Sequence, residues 1–344
     1  MTDETIRSRF PGHFEDLNHR NAAGAEPARA MRGELPLRGS LPPVEVLEIH
    51  GRPDVAIVFV GRLGGPSGPV VEFVDGLDVR FPREEKWIVN VSTQAGCPVG
   101  CPFCDAGGDF KGNLTANDIL AQAAFVLARH PGLPGRCRKL KVHFARMGEP
   151  ALNDAVLDAL ALLPTLPELA DCPGPWACVP TTAPRGRERW FEGLREIKET
   201  FYPGRFQLQF SVNSTDEEER NRLMPHPHWT LGQVAAFGRR FAAPGDRKPV
   251  LNFALARGIA CDPAVIRRTF DPACFAVKLT PLNPTARAAE HGLQTVLRSE
   301  AEPRLREVGE ELATAGFEVI FSVGDGREDR IGSNCGQAVR RMRE

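Results

Sequence analysis

Alternating apolar and polar residues predict short β-strands along most of the chain, and stretches with helical spacing separate many of them. Two early runs, DVAIVFVG from Asp54 and PVVEFVD from Pro69, lie on either side of the turn-forming segment RLGGPSG. This arrangement predicts a β-hairpin with a long loop. The residues before it are rich in Arg, Pro, Gly and Ala and show little periodicity. We expect them to form a poorly ordered arm or a short helical cap.

From Glu85 onward, strand-like and helix-like runs alternate. The strand-like runs are KWIVNVS, LKVHFARM, ACVPTT, FQLQFSVNS, PVLNFALA, FAVKLTPL and FEVIFSV. The helical stretches include ANDILAQAAFVLARH, ALNDAVLDALALL, RERWFEGLREIKETF and EPRLREVGEELATAG. A capping-box pattern over residues 215–218 predicts that one helix starts directly after a strand. Alternation of this kind predicts a parallel sheet with crossover helices.

The sequence therefore predicts an α/β fold, and the number of units favours a partial or full (β/α) barrel. No GxGxxG follows the first strand, which disfavours a Rossmann fold. Residues 1–45 are the arm, residues 46–84 an N-terminal β-hairpin extension, and residues 85–344 the barrel with a C-terminal segment that carries Cys335. In such barrels the active site lies in the loops at the C-terminal ends of the strands.

The composition is that of an ordinary soluble globular protein, with 42% hydrophobic and 25% charged residues among 344. No apolar run is long enough for a membrane span and the N-terminus lacks a signal peptide, so we expect a cytoplasmic protein without membrane contact. The net charge of −1 disfavours a dedicated nucleic-acid binder without excluding an RNA substrate. The nine cysteines are not expected to form a disulfide framework in that compartment.

Three of the cysteines stand close together in the loop TQAGCPVGCPFCDAGG, which follows a predicted strand. Soft thiolates select iron–sulfur clusters, zinc or copper(I), and glycines let a loop wrap closely around a bulky centre. Cys97, Cys101 and Cys104 on a four-iron cluster would leave one iron open for a reactant. The alternative is a structural zinc site that borrows a remote residue such as His226 or His228.

Three further segments end predicted strands. RMGEP at 146–150 supplies a carboxylate that can approach a ligand ammonium, or merely a solvated loop residue. FSVNS at 210–214 supplies hydroxyl and amide groups, which are also typical of helix caps. TPLNP at 280–284 supplies Asn283, either for hydrogen bonds to a ribose or adenine or for a turn.

The cluster loop, MGEP followed by LN, the LNP segment and SNCGQ near the C-terminus together resemble the RlmN/Cfr family of radical SAM RNA adenine methylases. The spacing CxxxCxxC matches the radical SAM signature, and the similarity covers about residues 50–340. The resemblance implies a [4Fe–4S] cluster and S-adenosylmethionine, which is reduced in that superfamily to a 5′-deoxyadenosyl radical. It also implies an electron donor such as flavodoxin or ferredoxin.

The resemblance further assigns roles to single positions. Cys97, Cys101 and Cys104 would bind the cluster. The other cofactor-binding positions are Gly148 and Glu149 for the methionyl amino group, Thr181 or Thr182 for a further contact, and Ser211, Asn213 and Asn283 for the nucleoside side.

Cys335 matches the cysteine that the family methylates on sulfur with one S-adenosylmethionine. A radical formed from a second S-adenosylmethionine then takes a hydrogen from that methyl group, and the carbon adds to an sp² carbon of the substrate. A lone cysteine is otherwise most often a small buried residue. Glu72 in VVEFVD is the best match to a carboxylate that accepts a proton in the family.

Two features depart from the family pattern. Asn90 stands where the methylases have a second cysteine, which takes a proton from the adduct and resolves the thioether, and an amide does neither. The region before the hairpin is too short and too broken by Pro and Gly for the family's helical accessory domain. Another cysteine could replace the missing one, although buried packing is the default for each of Cys137, Cys172, Cys178, Cys261 and Cys274.

The leading hypothesis is an RlmN/Cfr-like enzyme that transfers a methyl-derived carbon through Cys335 to an sp² carbon of a nucleotide or another substrate. The alternative is a radical SAM enzyme that acts on a small molecule or peptide without methyl transfer. A third hypothesis is a zinc- or cluster-bearing RNA-binding protein without turnover.

Overall fold

The computed structural model describes residues 41–78, 80–296, 302–323, 327, 331 and 337–342. Nearly all of the arm expected over residues 1–45 therefore lies outside the described residues. The strands are β1 (Val44–Arg52), β2 (Ala56–Leu63), β3 (Val70–Leu77), β4 (Trp87–Asn90), β5 (Gln94–Ala95), β6 (Gly112–Asn113), β7 (Leu140–His143), β8 (Trp176–Thr181), β9 (Phe206–Ser211), β10 (Val250–Leu255), β11 (Ala276–Pro281) and β12 (Glu318–Phe321).

The α-helices lie mainly in the connections between these strands. They are α1 (Ala116–Ala128), α2 (Leu133–Arg136), α3 (Ala155–Leu162), α4 (Glu188–Phe201), α5 (Glu217–Leu223), α6 (Leu231–Phe241), α7 (Pro263–Thr269), α8 (Ala286–Glu290), α9 (Glu302–Thr314) and α10 (Gln337–Arg341). None of the helices in the described part of the chain is both long enough and apolar enough to cross a membrane.

Ten strands form one sheet in the order β1-β2-β3-β4-β7-β8-β9-β10-β11-β12, and β5 pairs with β6 apart from it. The pairs from β1 to β4 are antiparallel, and all pairs from β4 to β12 are parallel. The predicted α/β class with a mostly parallel sheet is confirmed. Among the described strands the sheet is open, since no ladder joins β12 to β1.

The antiparallel edge contains one strand that the sequence analysis did not recognise. The two runs expected to pair are β2 and β3, with Ala56 opposite Gly76 and Arg62 opposite Val70. β1 pairs with the other side of β2 and begins in the segment that was expected to be an arm. Several of its side chains are exposed, as is usual for an edge strand, so its apolar pattern is weak.

One helix start was predicted a residue too early. Asp216, rather than Thr215, is the N-cap of α5, because its carboxylate accepts a hydrogen bond from the Glu219 N–H (2.8 Å). The Thr215 hydroxyl instead accepts a hydrogen bond from the Asp262 N–H (3.0 Å) and so connects the start of α5 to the start of α7. A carboxylate is favoured at this position because the helix N-terminus carries partial positive charge.

The two faces of the parallel strands differ in chemistry. Along β7, buried Leu140 and Val142 alternate with Lys141 and His143, because successive side chains of a strand point to opposite faces. The apolar face packs with the helices into one large hydrophobic core. The polar face is unusual, since strands of parallel sheets that are covered on both faces are nearly continuous apolar runs.

Aromatic side chains fill the core where α4 packs on the sheet. The ring centre of Phe191 lies 4.3 Å from that of Trp229 and 5.2 Å from those of Trp190 and Phe237. Phe191 also stacks on Phe210 of β9 at 6.4 Å. The ring is fully buried, so it joins α4, α6 and β9 in one packed layer.

Phe191→Ala removes the centre of this cluster and leaves a cavity. We expect the free energy of unfolding to fall by about 3–5 kcal/mol, as measured by urea denaturation followed by circular dichroism. The control is Phe110→Ala, at a residue that is 45% exposed, and it should cost less than about 1 kcal/mol. Equal losses for the two variants would contradict the packing described.

Candidate active site

The loop between β5 and β6 carries the three clustered cysteines and closes on itself. Cys97 and Gly107 pair in an isolated parallel bridge, and the Cys104 N–H donates to the Cys101 carbonyl (3.2 Å). A side chain at Gly107 would place its Cβ 3.1 Å from the Cα of Gly100. Glycine therefore lets two parts of this cysteine loop touch.

The three thiols of the cysteine loop are half-buried and not in disulfides. Burial, with a smaller contribution from the neighbouring Cys104, raises the pKa of Cys97 to about 12. Burial likewise raises the pKa of Cys101 well above its ordinary value. As free thiols Cys97 and Cys101 stay protonated at neutral pH, whereas a bound metal centre would stabilise their thiolates.

Glu149 follows β7, and its carboxylate is buried. Its Oε1 accepts hydrogen bonds from the Thr181 hydroxyl (2.5 Å) and the Ala151 N–H (3.0 Å). Its Oε2 accepts from the N–H and the hydroxyl of Thr182 (2.7 and 3.0 Å). Burial outweighs these hydrogen bonds and raises the pKa of Glu149. The two threonines, predicted to contact S-adenosylmethionine, thus position this carboxylate.

Gln94 connects the cysteine loop to the Glu149 loop. Its side-chain Oε1 accepts a hydrogen bond from the Glu149 N–H (2.8 Å), and its Nε2 donates to Asn113 Oδ1 (2.7 Å). The N–H groups of Thr93 and Gln94 both donate to the Met147 carbonyl (2.8 and 3.1 Å). The two loops are therefore one hydrogen-bonded unit. Gln94 was not singled out in the sequence, although it lies next to the cysteine motif.

Gly148 permits the close approach of these two loops. Its φ of +107° is disfavoured for any residue with a side chain. A Cβ at this position would lie 2.6 Å from Thr93 Oγ1 and 2.7 Å from Gln94 Cβ. Even alanine would therefore force the loops apart.

Asp105, directly after the last clustered cysteine, joins the cysteine loop to two distant elements. Its carboxylate accepts hydrogen bonds from the N–H groups of Ala286 (3.1 Å) and Arg287 (2.8 Å) at the start of α8. Arg340 of α10 contacts the same carboxylate at 3.3 Å. The segment that carries Asn283 is thereby docked against the cysteine loop. Asp105 was missed because a lone loop aspartate carries no local signal of this role.

Glu72, predicted to accept a proton, is fully buried in β3. Its Oε2 lies 2.6 Å from Arg146 Nη2, and its Oε1 accepts a hydrogen bond from the Val339 N–H (2.7 Å). The ion pair and the hydrogen bond hold this carboxylate in place within the fold. Glu72 thus anchors the C-terminal segment. Cys335, which shortly precedes Val339, lies outside the described residues.

The residues predicted for the nucleoside side lie at the ends of neighbouring strands. Ser211 ends β9 opposite Asn252. Asn213 is buried with φ +63°, and its Oδ1 accepts a hydrogen bond from the Ala254 N–H (3.2 Å). Asn283 is exposed just after β11. Because β9, β10 and β11 are adjacent and parallel, these side chains share one edge of the sheet.

The alternative zinc ligands, His226 and His228, lie in the segment before α6, and each has its Nδ1 near a backbone carbonyl. His228 pairs with Pro184 in an isolated bridge, and its Nδ1 lies 2.9 Å from the His226 carbonyl. In the described ranges no three His, Cys, Asp or Glu side chains converge closely enough to hold a single metal ion. A four-iron cluster has a different requirement, since each cysteine binds a separate iron.

Comparison with known proteins identifies relatives, although no protein-family model matches. The chain is 30% identical to a probable dual-specificity RNA methyltransferase RlmN of Parafrankia sp., over 77% of this chain and 68% of that protein. It is 31% identical to a protein of the same name from Frankia alni, over 77% of this chain and 61% of that protein. The chain belongs to the RlmN/Cfr-type family of radical SAM methylases.

Two further comparisons extend this relationship. A probable RlmN of Moorella thermoacetica is 27% identical and covers 94% of this chain and 88% of its own length. A radical SAM methyltransferase of Sphaerobacter thermophilus, solved by crystallography, shares the fold with a TM-score of 0.68 at 22% identity. That structure covers 96% of this chain and 91% of its own chain. The chain spans only about three-fifths of the Frankia relative.

Membership of a radical SAM family implies a [4Fe–4S] cluster and S-adenosylmethionine as cofactors. The chemistry of the donor groups fits both. One loop supplies three soft thiols for the cluster. Beside it, the buried Glu149 carboxylate accepts hydrogen bonds from neutral groups and forms no ion pair with a described side chain. A ligand ammonium would supply the missing charge.

Gly148→Ala tests the contact between the two loops. Gly245→Ala is the matched control, because Gly245 also has positive φ (+85°) but no atom within 4 Å of its Cβ position. We expect the control to lose about 1–2 kcal/mol of unfolding free energy from backbone strain alone. Gly148→Ala should lose at least about 1 kcal/mol more, because of steric overlap. Urea denaturation measures both, and identical losses would argue against the tight loop contact.

Proposed function

We propose that this protein is a radical SAM methyltransferase that holds a [4Fe–4S] cluster on Cys97, Cys101 and Cys104. The main support for the proposal is that hydrogen bonds join the cysteine loop to the loop that carries the buried carboxylate of Glu149. The charge of Glu149 contributes to the raised pKa of Cys97 and of Cys101, so the carboxylate lies within electrostatic range of the thiols. Family membership supports the same assignment.

The cluster, when bound, supplies the electron that cleaves S-adenosylmethionine reductively. The chain's own residues would bind and orient that cofactor. Glu149, oriented by Thr181 and Thr182, accepts hydrogen bonds from its ammonium group. Gly148 allows the backbone to approach closely. On the nucleoside side lie Ser211, Asn213 and Asn283, although the Oδ1 of Asn213 is already engaged within the fold.

Cys335 is the proposed carrier of the methyl group. Two observations support this role: the SNCGQ motif of the sequence, and the hydrogen bond by which buried Glu72 holds the nearby Val339 N–H. The relatives are named RNA methyltransferases, so we propose an sp² carbon of a nucleotide as the acceptor. An electron donor such as flavodoxin or ferredoxin would reduce the cluster.

A second candidate function is a radical SAM reaction on a small molecule or peptide without methyl transfer. Asn90 favours it, because this residue ends β4 and carries an amide where the methylases have their second cysteine. The product S-adenosylhomocysteine separates the two candidates, since methylation of Cys335 must release it.

The proposed architecture is a partial (β/α) barrel formed by β4 and β7–β12, preceded by the antiparallel extension. The fold shared with the Sphaerobacter methyltransferase supports it. The proposed domain boundaries lie at residues 45/46 and 84/85.

Cys101→Ser tests the cluster. Serine lacks the soft thiolate, so we expect the anaerobically reconstituted variant to contain little iron and to lose the broad visible absorbance of the cluster. It should also no longer form 5′-deoxyadenosine. Cys274→Ala, at a half-buried cysteine outside the site, is the control and should retain both. Wild-type protein that binds zinc but no iron after reconstitution would overturn the assignment.

Cys335→Ala tests the methyl carrier. With S-adenosylmethionine and a reductant, the variant should form 5′-deoxyadenosine but no S-adenosylhomocysteine, because the nucleophile for the first methyl transfer is absent. Peptide mass spectrometry of the wild type should show a methyl group on Cys335. If the wild type forms 5′-deoxyadenosine but neither S-adenosylhomocysteine nor the modified peptide, the second candidate function holds instead.

A further inference from the structure

A cavity of about 530 Å³ lies on the polar face of the sheet. Residues of β4, β7, β9, β10, β11 and β12 line it together. A flat sheet could not bring strands so far apart in the strand order to one cavity, so this face is concave. Lys139 and Arg247 stand just before the first residues of β7 and β10. The lining also includes His143, the last residue of β7, and Gln209 of β9, and it contains none of the residues described at the candidate active site.

The lining is strongly cationic. Among the described residues, six lysine and arginine side chains and one carboxylate, that of Asp78, line the cavity. Asp78 is already paired with Arg80 (2.8 Å) and Lys86 (2.5 Å). The four other cations have no carboxylate partner among the described residues: Lys139, Lys141, Arg247 and Lys278. We call the space that these four residues line the basic cavity.

Three groups that line the basic cavity have no hydrogen-bond partner among the described residues. Burial lowers the pKa of Lys141 and of Lys278; for both, the nearby Cys178 opposes this shift and the nearby positive charges add to it. His143 is the third such group, since its Nε2 is buried without a hydrogen-bond partner in the described part of the chain. Lys141 and Lys278 are half-buried, and charged groups that lose part of their hydration are destabilising unless a counter-charge accompanies them. Ordered water could satisfy the imidazole nitrogen, but it would not neutralise two ammonium groups.

We propose that the basic cavity binds a small phosphorylated molecule. Ammonium groups bind phosphate as point charges, and lysines from β7 and β11 would contact it from two sides of the cavity. A phosphoryl group carries more than one negative charge, which matches several unpaired cations better than a single carboxylate does. The volume falls within the range of about 300–1,000 Å³ that is usual for small-molecule sites. None of the residues that line the basic cavity is among those proposed to bind the cluster or S-adenosylmethionine.

Isothermal titration calorimetry of the full-length, cluster-loaded protein tests the proposal, with pyrophosphate, AMP and a short single-stranded RNA as separate probes. No reductant is added, so the result is independent of any radical chemistry. We expect saturable binding of pyrophosphate or AMP that weakens with salt. Binding of the RNA alone, or of none of the probes, would overturn the proposal.

Lys141→Met and Lys278→Met identify the binding residues. Each should weaken pyrophosphate binding about tenfold or more, the effect of losing a hydrogen bond to a charged group. Arg239→Met, on the exposed side of α6, is the control for loss of one positive charge and should bind as the wild type does. Undiminished binding by both lysine variants would contradict the assignment.

Thermal unfolding separates a binding role from a purely structural one. Without ligand, the two lysine variants should melt at the wild-type temperature or above it, because a buried charge has been removed. Pyrophosphate should raise the melting temperature of the wild type but not of the variants. Arg247→Gln, at the rim of the basic cavity, provides a further variant that leaves the interior packing intact and should also weaken binding.

Discussion

The parallel pairing of β4 with β7 is the constraint on which the candidate site depends. It brings the loops that leave these strands to one edge of the sheet, where the N–H groups of Thr93 and Gln94 both donate to the Met147 carbonyl. One loop supplies the cysteines, and the other supplies Glu149. Because a shift by one residue would turn every side chain of a strand to the opposite face, this register fixes both the contact and the direction of the groups. Gly148 then sets how closely the loops approach.

Charged groups that are removed from water and have no counter-charge among the described residues occur at two places on the sheet. Near the C-terminal ends, Glu149 is buried with hydrogen bonds from neutral groups. In the basic cavity, half-buried Lys141 and Lys278 lie near other cations. Such groups reduce stability unless a ligand of opposite charge completes them, so they mark sites where a fold gives up stability for binding. Glu72 differs, because Arg146 neutralises it within the fold.

The family relationship and the individual residues bear on different questions. Identity to the RlmN relatives extends over most of the chain, and the thiols of the cysteine loop suit a radical SAM cluster. The last step of the reaction is where the chain differs from its family. Asn90 pairs with Val74 at the end of β4, and its amide has neither the nucleophilicity nor the basicity of a cysteine thiolate. Release of a product from the proposed carrier Cys335 would therefore need chemistry that the family pattern does not supply.

The sequence by itself determined the succession of strands and helices and the cysteine loop, because alternation, helical spacing and a compact motif are properties of neighbouring residues. The prediction missed the edge strand β1 because its alternation is weak. It placed the N-cap of α5 one residue too early because the adjacent Thr215 and Asp216 both have side chains suited to that position. The tertiary structure alone decided which distant residues meet: Asp105 with the start of α8 and Glu72 with Val339 are separated by most of the chain. In the sequence, a single aspartate, glutamate or lysine in a strand or loop resembles a solvated surface residue. Only the folded sheet shows which partners surround it and whether a counter-charge is among them.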